Sequence, residues 1–297
     1  MLTNFLEESK MPILGQNELD SLSPFFKTRT GKAIAGFLMR FTALDRLNDL
    51  YDSLGDKKGP DFAEALSRKV GVDYSVANAE ALERLPEGAF ITISNHPYGG
   101  WDGIALIDLL GHARRDFKVM VNKILTYIRT LEENFISVIP TGEKRGTPAS
   151  ESIRGVREAL QHIRAGHPLG LFPSGAVSDP HIAGGFSVRD RQWQEPAIRL
   201  IKKARVPVIP IKFFDCNSIV YYLLGLINGN LRTLHLPREV MNKGGEQFRI
   251  AIGDIITEET QDKFENLDDF RDFLRSSVYD MPMPEKFIRR SEAGNAF

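Results

Sequence analysis

The feature that most constrains the fold is residues 89–110, which combine a buried strand, a glycine-containing loop and a helix. Apolar and β-branched residues fill 89–93 and predict a strand, whereas the apolar residues of 104–110 recur at helical spacing. His96 then lies at the carboxyl end of the strand, and Asp102 lies near the start of the helix. Because open α/β sheets bind ligands at the carboxyl ends of their strands, the sequence predicts a functional site here.

His96 and Asp102 have two interpretations. A histidine can remove a proton from a hydroxyl at neutral pH, and a carboxylate on its other ring nitrogen would fix its tautomer and orientation. In the alternative, Asp102 caps the helix and His96 is an ordinary loop histidine. The pair alone does not decide between them, because catalytic groups are recognised by geometry rather than by spacing.

Two downstream blocks favour the catalytic interpretation. Residues 171–178 read Leu-Phe-Pro-Ser-Gly-Ala-Val-Ser, and residues 206–211 read Val-Pro-Val-Ile-Pro-Ile, a strand with flanking prolines. With Asn95, His96 and Asp102, these blocks resemble, in the same order, those of the glycerolipid acyltransferases, the PlsC-type lysophosphatidic-acid acyltransferase-like superfamily. The motif variants resemble the bacterial hemolysin-type branch, which includes the O-acyltransferases of ornithine and glycine lipid synthesis.

The resemblance implies an O-acyltransferase. A fatty acyl group would pass from an acyl thioester, of either acyl carrier protein or coenzyme A, to the hydroxyl of a lysolipid. His96 would act as the general base and Asp102 would orient it, without an acyl-enzyme and without a metal or redox cofactor. The expected partners are the thioester, a lysolipid acceptor and a membrane surface.

Two departures from the family pattern bear on the dyad and on the acceptor. Five residues separate His96 from Asp102, one more than in the family, so the glycine loop must absorb a residue for the dyad to form. In residues 171–178, which correspond to the third block of the family pattern, Ser174 and Val177 replace the family's glutamate and arginine. Loss of the guanidinium removes a bidentate phosphate ligand, which favours a lyso-aminolipid over a glycerol-phosphate acceptor.

Further groups are predicted to complete the site. Backbone N–H groups of the two motif loops are expected to stabilise a developing oxyanion. The substrate-binding and oxyanion candidates are Asn95, Gly99, Gly100, Phe172, Pro173, Ser174 and Gly175. Cations in two polar loops are candidates for binding an anionic part of the donor or acceptor, with plain surface charge as the alternative; they are Lys144, Arg145, Arg189 and Arg191.

Two other functions remain open from the sequence. Ser174 follows the His–Asp pair along the chain and could be the nucleophile of a lipase or thioesterase. Its surroundings, Phe-Pro-Ser-Gly-Ala, differ from the G-x-S-x-G elbow of such hydrolases. The chain could also be a non-catalytic lipid-binding membrane adapter, which the five-residue spacing favours.

Strand and helix patterns alternate along the chain, which predicts an α/β fold with a mixed, mostly parallel sheet flanked by helices. Residues 1–72 are predicted to be an N-terminal helical segment, either packed on the core or in contact with a membrane surface. Residues 73–260 are predicted to form the acyltransferase catalytic domain, and 261–297 a C-terminal helix and tail. The apolar stretch 218–236 is predicted to be either a membrane-contacting hairpin or a buried pair of elements.

The composition limits the functional classes. The formal net charge is −1 and no basic run is present, so nothing indicates binding to nucleic acid. The single cysteine, Cys216, excludes an intramolecular disulfide and a cysteine zinc cluster. The sequence has no signal-peptide pattern and no apolar run of the ~18 residues that suggest a spanning helix. We therefore expect a cytoplasmic protein, peripheral on the inner face of the cytoplasmic membrane.

Overall fold

The β-branched and apolar runs of the sequence form a mixed β-sheet. The computed structural model describes residues 28, 32, 43–138, 150–181, 185–227, 229–245 and 248–292. The strands are β1 (Ser75–Ala77), β2 (Ile91–Ser94), β3 (Lys118–Asn122), β4 (Phe135–Val138), β5 (Leu169–Leu171), β6 (Asp179–His181), β7 (Ser187–Arg189), β8 (Val208–Phe213), β9 (Arg249–Ile252) and β10 (Ile288–Arg289). The main sheet has the order β10-β1-β9-β8-β2-β5-β3-β4, and β6 pairs with β7 in a separate hairpin.

The centre of the main sheet is parallel. Strand β2 runs parallel to both of its neighbours, β5 and β8, and β3 runs parallel to β4 and β5. Antiparallel pairing joins β8 to β9 and β1 to β10. The predicted mixed, mostly parallel sheet is therefore confirmed.

Helices cover both faces of this sheet, as the alternation of strand and helix patterns requires. They are α1 (Leu44–Asp52), α2 (Gly59–Val70), α3 (Gly100–Ala113), α4 (Ser150–Arg164), α5 (Glu195–Ala204), α6 (Ile219–Ile227), α7 (Gly229–Met241), α8 (Glu258–Asp262) and α9 (Leu267–Tyr279). One apolar core includes buried residues of α2 and α3, and the other includes buried residues of α4, α5 and α9. Helix α9 lies in the second core through Phe270, Leu274 and Val278.

Strand β2 positions the predicted site because it lies in the middle of the sheet. All four of its residues are buried, and Ile93 is opposite Leu171 of β5 and Pro210 of β8. Since β2 and β5 are parallel neighbours, the residues that follow them, His96 and Phe172, leave the sheet at the same edge. This is the edge at which open α/β sheets bind ligands.

The N-terminal prediction is partly covered by the described residues. Helix α1 lies within the predicted N-terminal helical segment, of which residues 1–42, except 28 and 32, fall outside the described residues. Helix α2 ends at Gly71, whose φ of 81° is the left-handed conformation that glycine adopts readily. Within the described residues, no helix has both the length and the apolarity needed to cross a bilayer.

Three local expectations differ from the structure. The sequence pattern of residues 122–131 predicts one helix, whereas the structure has two 3-10 helices, Lys123–Tyr127 and Arg129–Asn134. Residues 176–195 are glycine-rich and predict a long loop, whereas the structure contains the β6–β7 hairpin there. The C-terminal segment adds strand β10 to the edge of the main sheet, beside β1.

Candidate active site

The loop after β2 brings His96 and Asp102 together. His96 Nδ1 lies 2.8 Å from Asp102 Oδ2, and the Asp102 side chain is fully buried. Gly99 absorbs the extra residue between them with φ 75° and ψ −96°, a backbone conformation that is strained for any residue with a side chain. The five-residue spacing is therefore compatible with a closed dyad.

Asp102 also caps the helix that follows. Its Oδ2 accepts the backbone N–H groups of Tyr98 and Gly99, each at 2.9 Å, and Gly99 is the N-cap of α3. Burial raises the pKa of Asp102 above its ordinary value, although His96 and the two N–H groups act in the opposite direction. Asp102 Oδ2 therefore both caps the helix and contacts His96.

The His96 ring makes a stacking contact in addition to the contact of its Nδ1 with Asp102. It stacks on Phe172, which follows β5, with ring centroids 4.1 Å apart. The His96 side chain stays 18% exposed, while its Nδ1 is buried against Asp102. Nε2 is consequently the ring nitrogen that can reach a proton of a bound ligand.

Asp190 holds the backbone of this loop and was not predicted as a site residue. Its Oδ1 accepts the His96 N–H at 3.1 Å and the Ser178 hydroxyl at 2.5 Å, and its Oδ2 accepts Trp193 Nε1–H at 3.0 Å. Asp190 is 3% exposed. The Ser178 N–H in turn donates to the His96 carbonyl, so the two motif loops are joined at His96.

One residue of α6 and one just before it donate hydrogen bonds to backbone carbonyls of the loop that carries His96. Tyr222 donates its hydroxyl to the Pro97 carbonyl at 2.8 Å, and Asn217 Nδ2 donates to the Tyr98 carbonyl at 3.1 Å. Both side chains are buried. The loop that carries His96 is therefore bonded to four parts of the chain, namely α3, the Asp190 segment, the third-block turn and the start of α6.

Two hydrogen-bond donors of the third-block turn, which includes the predicted residues Ser174 and Gly175, have acceptors within the turn. The Gly175 N–H donates to the Phe172 carbonyl at 2.9 Å, so it is already used within the turn. Ser174 is buried and donates its hydroxyl to the Ala176 carbonyl at 2.8 Å. Pro173 has no N–H, and its carbonyl accepts from Gln194. In this conformation neither the Gly175 N–H nor the Ser174 hydroxyl is aimed at a substrate.

The polar groups of Asn95 and Gly99, two of the predicted substrate-binding and oxyanion residues, are hydrogen-bonded within the protein. The Asn95 amide exchanges two hydrogen bonds with the backbone of Phe213, each at 2.8 Å, and so ties β2 to β8. The Gly99 N–H is used by Asp102. Gly100 remains, because it is the first residue of α3 and the first N–H groups of a helix have no acceptor within that helix.

The two described residues among the four predicted anion-binding cations, Arg189 and Arg191, contact other side chains of the protein. Arg191 is paired with Asp179, which also accepts from Arg232 Nη1 at 2.6 Å. Burial alone would raise the pKa of Asp179, but the two guanidinium groups hold it below its ordinary value. Arg189 lies over the Tyr279 ring, 5.8 Å from its centroid. Lys144 and Arg145 lie outside the described residues.

Known proteins with similar sequences cover most of this chain. A family model described as "Acyltransferase" matches residues 27–283. A lyso-glycine lipid O-acyltransferase of Bacteroides thetaiotaomicron is 27% identical over 255 residues, which are 84% of this chain and 89% of that protein. A second, of Phocaeicola vulgatus, is 26% identical over 280 residues, 88% of this chain and 94% of that protein.

A solved structure, the 1-acyl-sn-glycerophosphate acyltransferase PlsC of Thermotoga maritima, aligns with 83% of this chain and 86% of its own length, at 16% identity and a TM-score of 0.48. The family assignment does not depend on it, since the family model alone matches well over half of the sequence. The chain belongs to the acyltransferase family.

Proposed function

We propose that this acyltransferase moves a fatty acyl group from an acyl thioester to the hydroxyl of a lysolipid, with His96 as the general base. The observation that carries the proposal is the 2.8 Å contact of His96 with the buried Asp102 at the carboxyl end of β2. Both lyso-glycine lipid O-acyltransferases match along most of their length, which supports a lyso-aminolipid as the acceptor.

In the proposed reaction, His96 Nε2 takes the proton of the acceptor hydroxyl as the oxygen attacks the thioester carbon. Asp102 fixes Nδ1 as the protonated ring nitrogen and stabilises the imidazolium that forms. The carbon–sulfur bond then breaks, the ester bond is complete, and the proton passes from His96 to the thiolate. Acyl carrier protein and coenzyme A both supply such a thioester, and either is compatible with this chemistry.

The oxyanion of the tetrahedral intermediate needs a hydrogen-bond donor close to His96. The Gly100 N–H is our candidate, because it begins α3 and the amino end of a helix favours negative charge. Gly99 and Gly175 would have to break existing hydrogen bonds to serve this role. The proposed site therefore has one donor from the first loop rather than the several predicted from sequence.

The surroundings of the dyad support an acceptor without a phosphate next to the reacting hydroxyl. Val177 occupies the third-block position at which the family resemblance predicts arginine, and a Cβ built on Gly99 would lie 3.0 Å from its Cγ2. An apolar methyl group therefore lies beside the His96 loop where a guanidinium would bind phosphate. This contact favours a lyso-aminolipid over a glycerol-phosphate acceptor.

The serine hydrolase is the weaker candidate. A serine nucleophile needs its hydroxyl bonded to the catalytic base, whereas Ser174 donates to the Ala176 carbonyl of its own turn. The adapter alternative rested on the five-residue spacing, and the closed His96–Asp102 pair removes that argument.

The test is thiol release from acyl coenzyme A and from acyl carrier protein, each with and without a lyso-glycine lipid. We expect release that depends on the acceptor and a doubly acylated product by mass spectrometry. Ser174→Ala should leave the rate within a few-fold of the wild type. Acceptor-independent release that Ser174→Ala abolishes would establish the hydrolase instead, and no release from either donor would reject the transferase.

We further propose that the outer face of α6 contacts the lipid bilayer. Large apolar side chains cover this face and are at least half exposed; they are Ile219, Val220, Leu223, Leu226 and Ile227. The helix carries no acidic or basic residue, and Tyr222 on its inner face is bonded to the His96 loop. A bilayer on this face would place membrane-borne acceptor next to the site.

Replacing Leu223 and Ile227 together with glutamate should weaken binding to vesicles of mixed neutral and anionic phospholipids by at least tenfold in a sedimentation assay. Each buried apolar side chain contributes about 1.5–3 kcal/mol when it leaves water. Ile255→Glu, at an exposed position outside α6, is the matched control and should bind as the wild type does. Undiminished sedimentation of the double variant would show that α6 is not the contact.

A further inference from the structure

A groove of about 550 Å³ lies between α6 and α7. Its polar wall consists of Ser218, His235, Arg238, Glu239, Asn242 and Lys243. Five of these residues, 235, 238, 239, 242 and 243, recur at helical spacing along the end of α7 and the turn that follows it, so the groove presents a single row of polar groups. None of them was a candidate from sequence, and the reaction proposed above uses none of them.

The floor of the groove is a buried and internally bonded charge pair. Glu239 is 5% exposed and accepts the Ser218 hydroxyl at 2.6 Å and the Ser218 N–H at 3.1 Å. Lys243 is 3% exposed and lies 3.7 Å from Glu239. Because buried ion pairs are costly unless they are well bonded, this arrangement gives the groove a floor of fixed geometry.

The groove is joined to the loop that carries His96. Lys243 Nζ lies 5.3 Å from the centroid of the Tyr98 ring, and Trp101 Nε1 donates to the Val240 carbonyl of α7 at 3.1 Å. A Cβ built on Gly99 would lie 3.2 Å from Leu236 of α7. A ligand group in the groove would therefore lie on the helix that packs against the catalytic loop.

The groove contains two cationic side chains, Arg238 and Lys243, and one anionic side chain, Glu239, beside which Lys243 lies. Burial lowers the pKa of His235, so this side chain is neutral at pH 7. Its buried Nδ1 has no hydrogen-bond partner among the described residues, and a buried polar atom of this kind is expected to have a ligand or water partner.

We propose that this groove binds the head-group carboxylate of the acceptor, with Arg238 as its charged ligand. The inference rests on the proposed function, because an amino acid joined to a lipid through its nitrogen keeps a free carboxylate. Glycine itself has no hydroxyl, so the hydroxyl to be acylated belongs to the amide-linked chain. The head group and the reacting hydroxyl then need separate positions, one in the groove and one at His96.

The apolar side of the groove suits the amide-linked chain of the proposed acceptor. Val220 and Leu224 of α6 form this side, and Val220 belongs to the exposed apolar face proposed to contact the bilayer. A monoanionic head group can therefore reach Arg238 while its chain remains in apolar surroundings.

The test is calorimetric binding of N-dodecanoylglycine, below its micellar concentration, to the protein without any thioester. N-dodecanoylglycinamide is the uncharged comparison. We expect the carboxylate to bind at least tenfold more tightly than the amide, as a charge-assisted hydrogen bond would give. Arg238 is exposed, so Arg238→Gln should fold normally and should remove most of this preference.

Arg199→Gln is the matched control, because Arg199 is an exposed arginine on α5, against the opposite face of the sheet. It should keep the full preference for the carboxylate. Equal binding of the two amphiphiles by the wild type, or an unchanged preference in Arg238→Gln, would overturn the proposal. Selective binding without acyl transfer would instead contradict the proposed function alone, since no thioester is present in the binding assay.

Discussion

Acyl transfer should fall by about 10²–10⁴-fold when His96 is replaced with alanine, the range expected for loss of a general base. The His96 ring contributes its contact with Asp102 and its stacking on Phe172, while the backbone bonds of residue 96 to Asp190 and Ser178 remain. The variant should therefore fold with a circular dichroism spectrum like that of the wild type. The measurement is the rate of acceptor-dependent thiol release.

Asp102→Asn separates charge from shape in the same assay. An amide oxygen can still accept the N–H groups of Tyr98 and Gly99, so the helix cap is largely kept, but the negative charge that stabilises the imidazolium is lost. We expect a rate loss of at least about a hundredfold.

Helix α3 provides a matched control in a second His–Asp pair, His112 with Asp108, whose nearest side-chain atoms are 3.2 Å apart. His112→Ala removes a histidine of the same kind away from the loop, and the folded variant should keep its transfer rate. Full activity in His96→Ala would contradict the general-base assignment, and equal losses in both histidine variants would indicate an effect on folding instead.

The dyad could be predicted from sequence because it is local. His96 and Asp102 are joined by one short loop, and the strand before it and the helix after it have clear periodicities. The capping role of Asp102 was predictable for the same reason. What the sequence left open was whether the loop could close over five residues, and the backbone of Gly99 provides that closure.

The sequence could not show which N–H groups are available to a ligand, because this depends on hydrogen bonds made by the backbone. The Gly99 N–H and the Gly175 N–H have the positions expected of donors, yet each has an acceptor already. Asn95 is likewise used by a strand that is distant in sequence. The order of residue types in the sequence does not show which hydrogen-bond partner each of these groups has.

Asp190 was missed for a related reason. Its neighbours Arg189 and Arg191 are charged, so the segment has the composition of a solvated loop. The carboxylate is buried only because the β6–β7 hairpin returns to the sheet edge, where His96 lies 94 residues earlier in the chain. A nearby buried tryptophan, Trp193, was the one available signal that this segment packs inward.

We expect Asp190→Ala to reduce the free energy of unfolding by about 3 kcal/mol or more. The substitution leaves three donors without their acceptor, namely the His96 N–H, the Ser178 hydroxyl and Trp193 Nε1–H. Each buried donor left unsatisfied costs about 1–3 kcal/mol. Asp190→Asn should lose less, because its amide oxygen can replace one of the two acceptor atoms.

The same series tests whether Asp190 positions His96. Urea unfolding gives the stability order, and thiol release under fully folded conditions gives kcat and KM. We expect Asp190→Asn to lower kcat more than it raises KM, since looser tethering of the His96 backbone misplaces the base without removing a substrate contact. Asp254→Ala, at an exposed carboxylate, should change the unfolding free energy by no more than about 0.5 kcal/mol. If Asp190→Ala unfolds within 1 kcal/mol of the wild type and Asp190→Asn keeps its kcat, the carboxylate neither stabilises this loop nor positions the base.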